Sequence, residues 1–109
     1  LAESRGLQSV FIANHAGDHA IYPDCRPEFI RAFDATAQSG TYNHVRIEAP
    51  YTNLTKSEIV RKGVLLGINY AETWSCYKGG ERPCGRCGGC GERREALAEA
   101  GIADTTVCQ

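Results

Sequence analysis

Four of the six cysteines fall within fifteen residues, as Cys76, Cys84, Cys87 and Cys90, in the pattern C-x7-C-x2-C-x2-C. Thiols this dense either pair as disulfides or bind metal, and the compartment decides between the two. The opening segment LAESRGLQS lacks the basic-then-apolar layout of a signal peptide. No apolar run approaches the roughly 20 residues of a membrane helix. The chain is therefore expected in the cytoplasm, without a membrane partner, where reduced thiols favour metal. The two-residue spacings suit a turn that aims successive sulfurs at one centre. Gly85, Gly88 and Gly89 are expected to supply its positive φ angles and close backbone approach. Cys76 closes the tetrahedron from the far side of the loop. Four thiolates without histidine or water describe a closed, structural zinc site. The rival is an iron–sulfur cluster, also held by four cysteines and sometimes by C-x2-C-x2-C runs. Lys78, Arg82, Arg86, Arg93 and Arg94 outnumber Glu81 and Glu92 around the cluster, and are expected to lower the thiol pKa values and offset the site's charge.

Two further groups have the side chains for chemistry. Asp24, Cys25 and Arg26 lie in a loop after a strand, where α/β proteins place ligands. The competing structural reading is helix capping by Asp24 with Arg26 on the surface. No base is evidently paired with Cys25, which disfavours it as a covalent nucleophile. Lys56 heads a helix, and a helix amino terminus with a lysine is a competent phosphate site. A first-turn cation also opposes the helix dipole, so a solvated lysine is the alternative. His15, His19 and His44 have no metal-ligand spacing and read as ordinary polar residues, although the first two are near enough to the loop to touch a substrate. Trp74 and Tyr77 are expected to pack on the metal loop, and Cys108 is a spare thiol in a frayed tail.

The elements that position these groups follow from pattern. Leu1–Arg5 reads as a helical turn ended by Gly6, and Gln8–Ala13 as a strand buried on both faces. Arg26–Gly40 reads as a helix, with Pro27 in its first turn, Phe29, Ile30, Phe33 and Ala37 on one face, and Gly40 as the stop. His44–Pro50 is a second strand. Thr55 and Glu58 form a capping box that opens a helix from Lys56 to about Gly67. A last helix spans Gly91–Gly101. Strands alternating with helices predict parallel pairing and an α/β fold. Two parallel strands make a poor sheet alone, so the 109 residues read as the carboxy-terminal portion of one larger α/β domain. Twelve basic and thirteen acidic side chains give a net charge of −1, which offers no general pull toward nucleic acid.

YPDCRPEFIRAF, LTKSEIVRKGVLLGI and TWSCYKGGERPCGRCGGC, in that order and followed by a basic helix, resemble the 7-cyano-7-deazaguanine synthase (QueC) family of queuosine biosynthesis. The resemblance implies an adenine-nucleotide α-hydrolase-like fold of the ATP-pyrophosphatase type. It implies an ATP-dependent ligase that converts 7-carboxy-7-deazaguanine and ammonia to an amide and then a nitrile. It also implies one structural zinc on Cys76, Cys84, Cys87 and Cys90, a substrate pocket that includes Asp24, Cys25 and Arg26, nucleotide contact by Lys56, and a homodimer. The family's S-G-G-x-D-S phosphate loop does not occur in these residues, so the chain alone is expected to be inactive. The alternative reading is a non-catalytic zinc ribbon that binds RNA or protein.

Overall fold

In the computed structural model the chain divides into two compact units, Leu1–Thr55 and Lys56–Gln109. The structure describes residues 1–108.

The first unit holds the sheet. Strands β1 (Ser9–Phe11) and β2 (Arg46–Glu48) pair in parallel, with Ser9 opposite Arg46, Val10 opposite Ile47 and Phe11 opposite Glu48. Helix α1 (Pro27–Gly40) is the crossover between them and packs on β2. Pro27 occupies the first helical turn, as expected, where its missing N–H costs nothing. Phe29 and Phe33 stack with ring centroids 5.8 Å apart. Asp34 ties the helix to the sheet: its carboxylate accepts from the Ile47 N–H at 2.7 Å and from the Gln38 amide at 2.7 Å.

Two local expectations change here. Gly40 does not stop α1 through a left-handed conformation; the helix runs through it and ends at Thr41, which is extended at φ −125°. The Thr41 hydroxyl donates to the Ala37 carbonyl and accepts from the Val45 N–H, so one side chain closes the helix and starts the next segment. Strand β1 is shorter than the apolar run and is not buried on both faces, since Phe11 is 72% exposed. One neighbouring strand and one helix offer too little surface to cover both sides of it.

The second unit is built on α2 (Lys56–Leu65) and α3 (Gly88–Glu99). Val60, Ala96 and Leu97 form its apolar core, with Tyr70, Ala100 and Ile102 packed against them. Both helices end in the same glycine motif. Gly67 (φ 75°) and Gly101 (φ 76°) turn left-handed, and the N–H groups of Ile68 and Ile102 reach back to Gly63 and Leu97 at 2.9 Å each. Gly63 has a separate requirement. A Cβ there would collide with the Tyr70 hydroxyl, which donates to the Val60 carbonyl at 2.9 Å. Gly63→Ala is expected to destabilise the protein by about 2 kcal/mol despite alanine's better helix propensity, because overpacking outweighs that gain. Urea denaturation checks this, and an unchanged or raised midpoint would contradict it.

The tail is docked rather than frayed, and Arg93 is the reason. Buried at 9% exposure, its guanidinium donates to the Tyr70 carbonyl (2.6 Å), the Thr73 hydroxyl (2.6 Å), the Asp104 carboxylate (3.0 and 3.3 Å) and the Thr106 hydroxyl (3.0 Å). The planar fork suits several simultaneous acceptors. Arg93 is thus a clamp within the fold rather than one of the cations expected around the cysteines.

Candidate metal centre and ligand loop

The metal loop is positioned at both ends. Upstream, Asn69 caps a short turn (Tyr70–Glu72) through its side-chain oxygen, and the Trp74 indole donates to the Cys76 carbonyl at 2.7 Å. Downstream, α3 begins at Gly88, three residues earlier than its apolar pattern indicated, so Cys87 is its N-cap and Cys90 lies in its first turn. Between them Gly85 turns left-handed at φ 70°, and Arg94 donates to its carbonyl at 2.6 Å. Of the three glycines expected to take positive φ, only Gly85 does. Gly89 serves close approach instead: a Cβ there would meet the Ser75 carbonyl and the Tyr77 ring.

This loop brings all four sequence-predicted ligands together. The sulfurs of Cys76, Cys84, Cys87 and Cys90 lie within 4.8 Å of one another. Cys87 Sγ is 3.5 Å from Cys90 Sγ and 3.9 Å from Cys76 Sγ. Tetrahedral zinc with bonds of about 2.3 Å sets its sulfurs about 3.8 Å apart, so the set fits one such ion. A cluster that distributes its thiolates over several irons would hold them farther apart. Backbone groups of Tyr77 and Cys90 pull the Cys87 thiol down to about 6, whereas burial, with neighbouring thiols, pushes Cys90 up to about 12. The backbone at Arg86 lowers Cys84. Amide hydrogens thus favour the thiolate at Cys84 and Cys87, whereas burial favours the thiol at Cys90. Among the described residues no other group of His, Cys, Asp or Glu side chains is arranged to hold a metal.

Lys56 opens α2 in the same unit. Its ammonium pairs with Glu92 at 2.6 Å, and it lines an open groove of about 350 Å³ with Trp74, Ser75, Cys76, Tyr77 and Gly89. Trp74 is half exposed and holds the metal loop through its indole as expected, whereas Tyr77 is almost fully exposed and does not pack on the loop, its ring only bordering Gly89.

Asp24, Cys25 and Arg26 lie in the first unit, on a turn (Pro23–Cys25) that leads into α1. Asp24 makes no capping bond to that helix; Arg26 occupies the N-cap position and its Nε donates to the His19 carbonyl at 2.7 Å. The loop is fixed beyond the carboxyl ends of both strands by Asn14, which sequence reasoning missed. Asn14 donates to the Cys25 carbonyl (2.9 Å) and to the Thr52 hydroxyl (3.2 Å), and Thr52, itself buried, donates to the Ala49 carbonyl (2.9 Å). An asparagine three residues past a strand end was the available signal. Burial, with the charges of Asp18 and Asp24, raises the Cys25 pKa. The thiol form is favoured, which suits a lining residue and not a thiolate nucleophile. His44 closes the end of α1, with Nδ1 3.0 Å from the Gln38 carbonyl.

A family profile described as "Queuosine biosynthesis protein QueC" matches residues 1–101. A 7-cyano-7-deazaguanine synthase of Porphyromonas gingivalis is 65% identical over 106 residues, covering 97% of this chain and 48% of that relative. Its namesake in Methanoregula boonei is 54% identical over 99 residues (91% of this chain, 46% of the relative), and that of Ruegeria sp. is 50% identical over 109 residues (98% and 47%). The chain spans about half the length of the curated relatives it matches. With the four-cysteine centre and the YPDCR loop both in place, the chain belongs to the family of the queuosine biosynthesis protein QueC.

Proposed function

We propose that this segment is the carboxy-terminal half of an ATP-dependent ligase that makes 7-cyano-7-deazaguanine from 7-carboxy-7-deazaguanine and ammonia. The family match over residues 1–101 carries the reading. In it the two strands belong to a larger nucleotide-hydrolase-like sheet, and a phosphate-binding loop lies in the half that precedes this one. Zinc on Cys76, Cys84, Cys87 and Cys90 is structural, because four sulfurs leave no open position for substrate. Lys56 meets nucleotide phosphate from its groove by leaving Glu92. Arg26, anchored through Nε, has its outer amino groups left to meet the substrate carboxylate beside Asp24 and Cys25. The protein works in the cytoplasm as a homodimer. No helix among the described residues is long and apolar enough to cross a membrane, and the near-zero net charge favours a small-molecule substrate over RNA.

The test incubates this chain with ATP, ammonium and the 7-carboxy substrate, alone and as part of a protein of the relatives' full length. Nitrile should form only in the longer protein, since holding a triphosphate in register takes more than the one cation Lys56 provides. Robust product from this chain alone, or none from the longer protein, would overturn the reading.

A further inference from the structure

Two aromatic side chains stand in the open beside the metal loop, and the loop fixes the backbone that carries them. Trp74 is 49% exposed and Tyr77 is 89% exposed. The Trp74 indole N–H donates to the Cys76 carbonyl at 2.7 Å, and the Tyr77 backbone bonds to the Cys87 sulfur. Cys76 and Cys87 both belong to the four-sulfur centre. A Cβ at Gly89 would come within 3.1 and 3.2 Å of the Tyr77 ring, so that glycine leaves the ring its place. Tyr77 buries almost no apolar surface in this unit, so stability does not account for it. The two side chains share an open groove of about 350 Å³ with Lys56 and Ser75. Small-molecule sites run upward from about 300 Å³. The Lys56 ammonium is paired with Glu92 at 2.6 Å, with 36% and 54% of the two side chains exposed. An ion pair this wet is worth little, so the ammonium can exchange that carboxylate for an anionic ligand. Aromatic side chains with a cation beside them suit a flat ring that carries negative charge, since every base offers a π-face for stacking. Lysine is depleted at the centre of protein interfaces, which favours a charged small molecule here over a protein surface.

We propose that Trp74 and Tyr77 form a stacking platform for a purine-type ring whose anionic group meets Lys56. The ligand class rests on the ligase reading above, which supplies two such rings, the adenine of ATP and the deazapurine of the carboxylate substrate. The four-cysteine centre then has a task beyond holding its own loop together. It fixes the stretch of backbone from which both aromatic side chains project, at Cys76 for Trp74 and at Cys87 for Tyr77.

The experiment measures binding of ATP alone and of 7-carboxy-7-deazaguanine alone to the protein of full family length, by isothermal titration calorimetry. Tyr77→Ala should weaken one of the two about 10-fold or more, the loss of one stacked ring. It should leave the zinc content and the thermal midpoint of the ligand-free protein unchanged. Tyr77→Phe keeps the ring and should restore most of the affinity. Trp74→Leu should weaken the same ligand as Tyr77→Ala. The ligand affected identifies the ring: ATP means the adenine, the carboxylate means the deazapurine. Unchanged affinity for both ligands in Tyr77→Ala would overturn the proposal, and so would weakening of different ligands by the two variants. A lowered thermal midpoint with unchanged affinities would assign the aromatic side chains to packing against another part of the protein and overturn it as well. An unsubstituted protein that binds neither ligand would overturn the ligase reading and the ligand class with it. One that binds both but forms no nitrile would overturn the ligase reading alone.

Discussion

Cys84→Ser is expected to reduce bound zinc from one ion per chain to a trace and to melt the loop from Thr73 to Cys90. Cys84 is 7% exposed, and its own N–H points at Cys76 Sγ at 3.4 Å, so it serves the centre both as ligand and as donor. A serine hydroxyl does not ionise near neutral pH and so cannot replace a thiolate that the backbone holds ready to ionise. Structural zinc contributes roughly 10–16 kcal/mol in small domains, as much as the whole stability of a typical protein, about 5–15 kcal/mol. Little apolar material underlies the loop to take over, because the cysteines themselves make up its buried cluster. The first turn of α3 should loosen too, since Cys87 and Cys90 frame it. Metal analysis with amide hydrogen exchange over residues 73–92 tests this. Retention of one zinc by the variant would contradict it, as would iron with inorganic sulfide or a stable metal-free fold with paired cysteines in the unsubstituted protein.

The second large effect is expected at Arg93. Arg93→Met should cost roughly 3 kcal/mol, the lower end of the range for breaking a buried ion pair, because Asp104 keeps some access to water. Methionine fills the volume but withdraws the donor that the Thr73 hydroxyl accepts from, along with one of the three donors to the Tyr70 carbonyl, which keeps the Thr73 N–H and hydroxyl. Arg93→Lys should recover little, since one ammonium cannot span acceptors on both sides of the fork. The effect has a pH signature. Burial raises the Asp104 pKa, but hydrogen bonds from Arg93 and Thr106 outweigh it and hold the carboxyl below its ordinary value. A depressed folded-state pKa contributes stability that is complete above the unfolded value, about 4, and is lost as pH falls through the folded value. Urea midpoints at pH 7 and pH 3 should therefore differ less in Arg93→Met than in the parent. Equal acid sensitivity in the two proteins would remove Asp104 from the account.

What could be read from the sequence was whatever rests on local pattern. Cysteine spacing picked out the four thiols that the fold brings together, and periodicity located α1, α2, α3 and the parallel pair, because both signals are written in residues a few positions apart. Contacts across longer separations left no such mark. Arg93 looks like any other basic residue on a basic helix; only its bonds to Asp104 and Thr106, eleven and thirteen residues on, make it a core residue. Asn14 joins Cys25 to Thr52, a residue thirty-eight positions away. The start of α3 was misplaced because glycines at 88 and 89 suggest a loop, whereas the metal-ligand turn fixes a helical start there. The apolar run of β1 indicates buried surface, but pattern cannot say which partner covers it.

That early start of α3 bears on the order in which the second unit assembles. Beginning a helix is its costly step, since several residues are fixed for a single hydrogen bond. Here Cys87 at the N-cap and Cys90 in the first turn are held by the same four-sulfur centre. Metal capture can template the helix without any contact to the tail, since all four sulfurs lie at or before residue 90. Arg93 completes its bonds only when Asp104 and Thr106 dock on it. Metal supply, rather than docking of the tail, would then decide whether a folding α3 has a start to grow from.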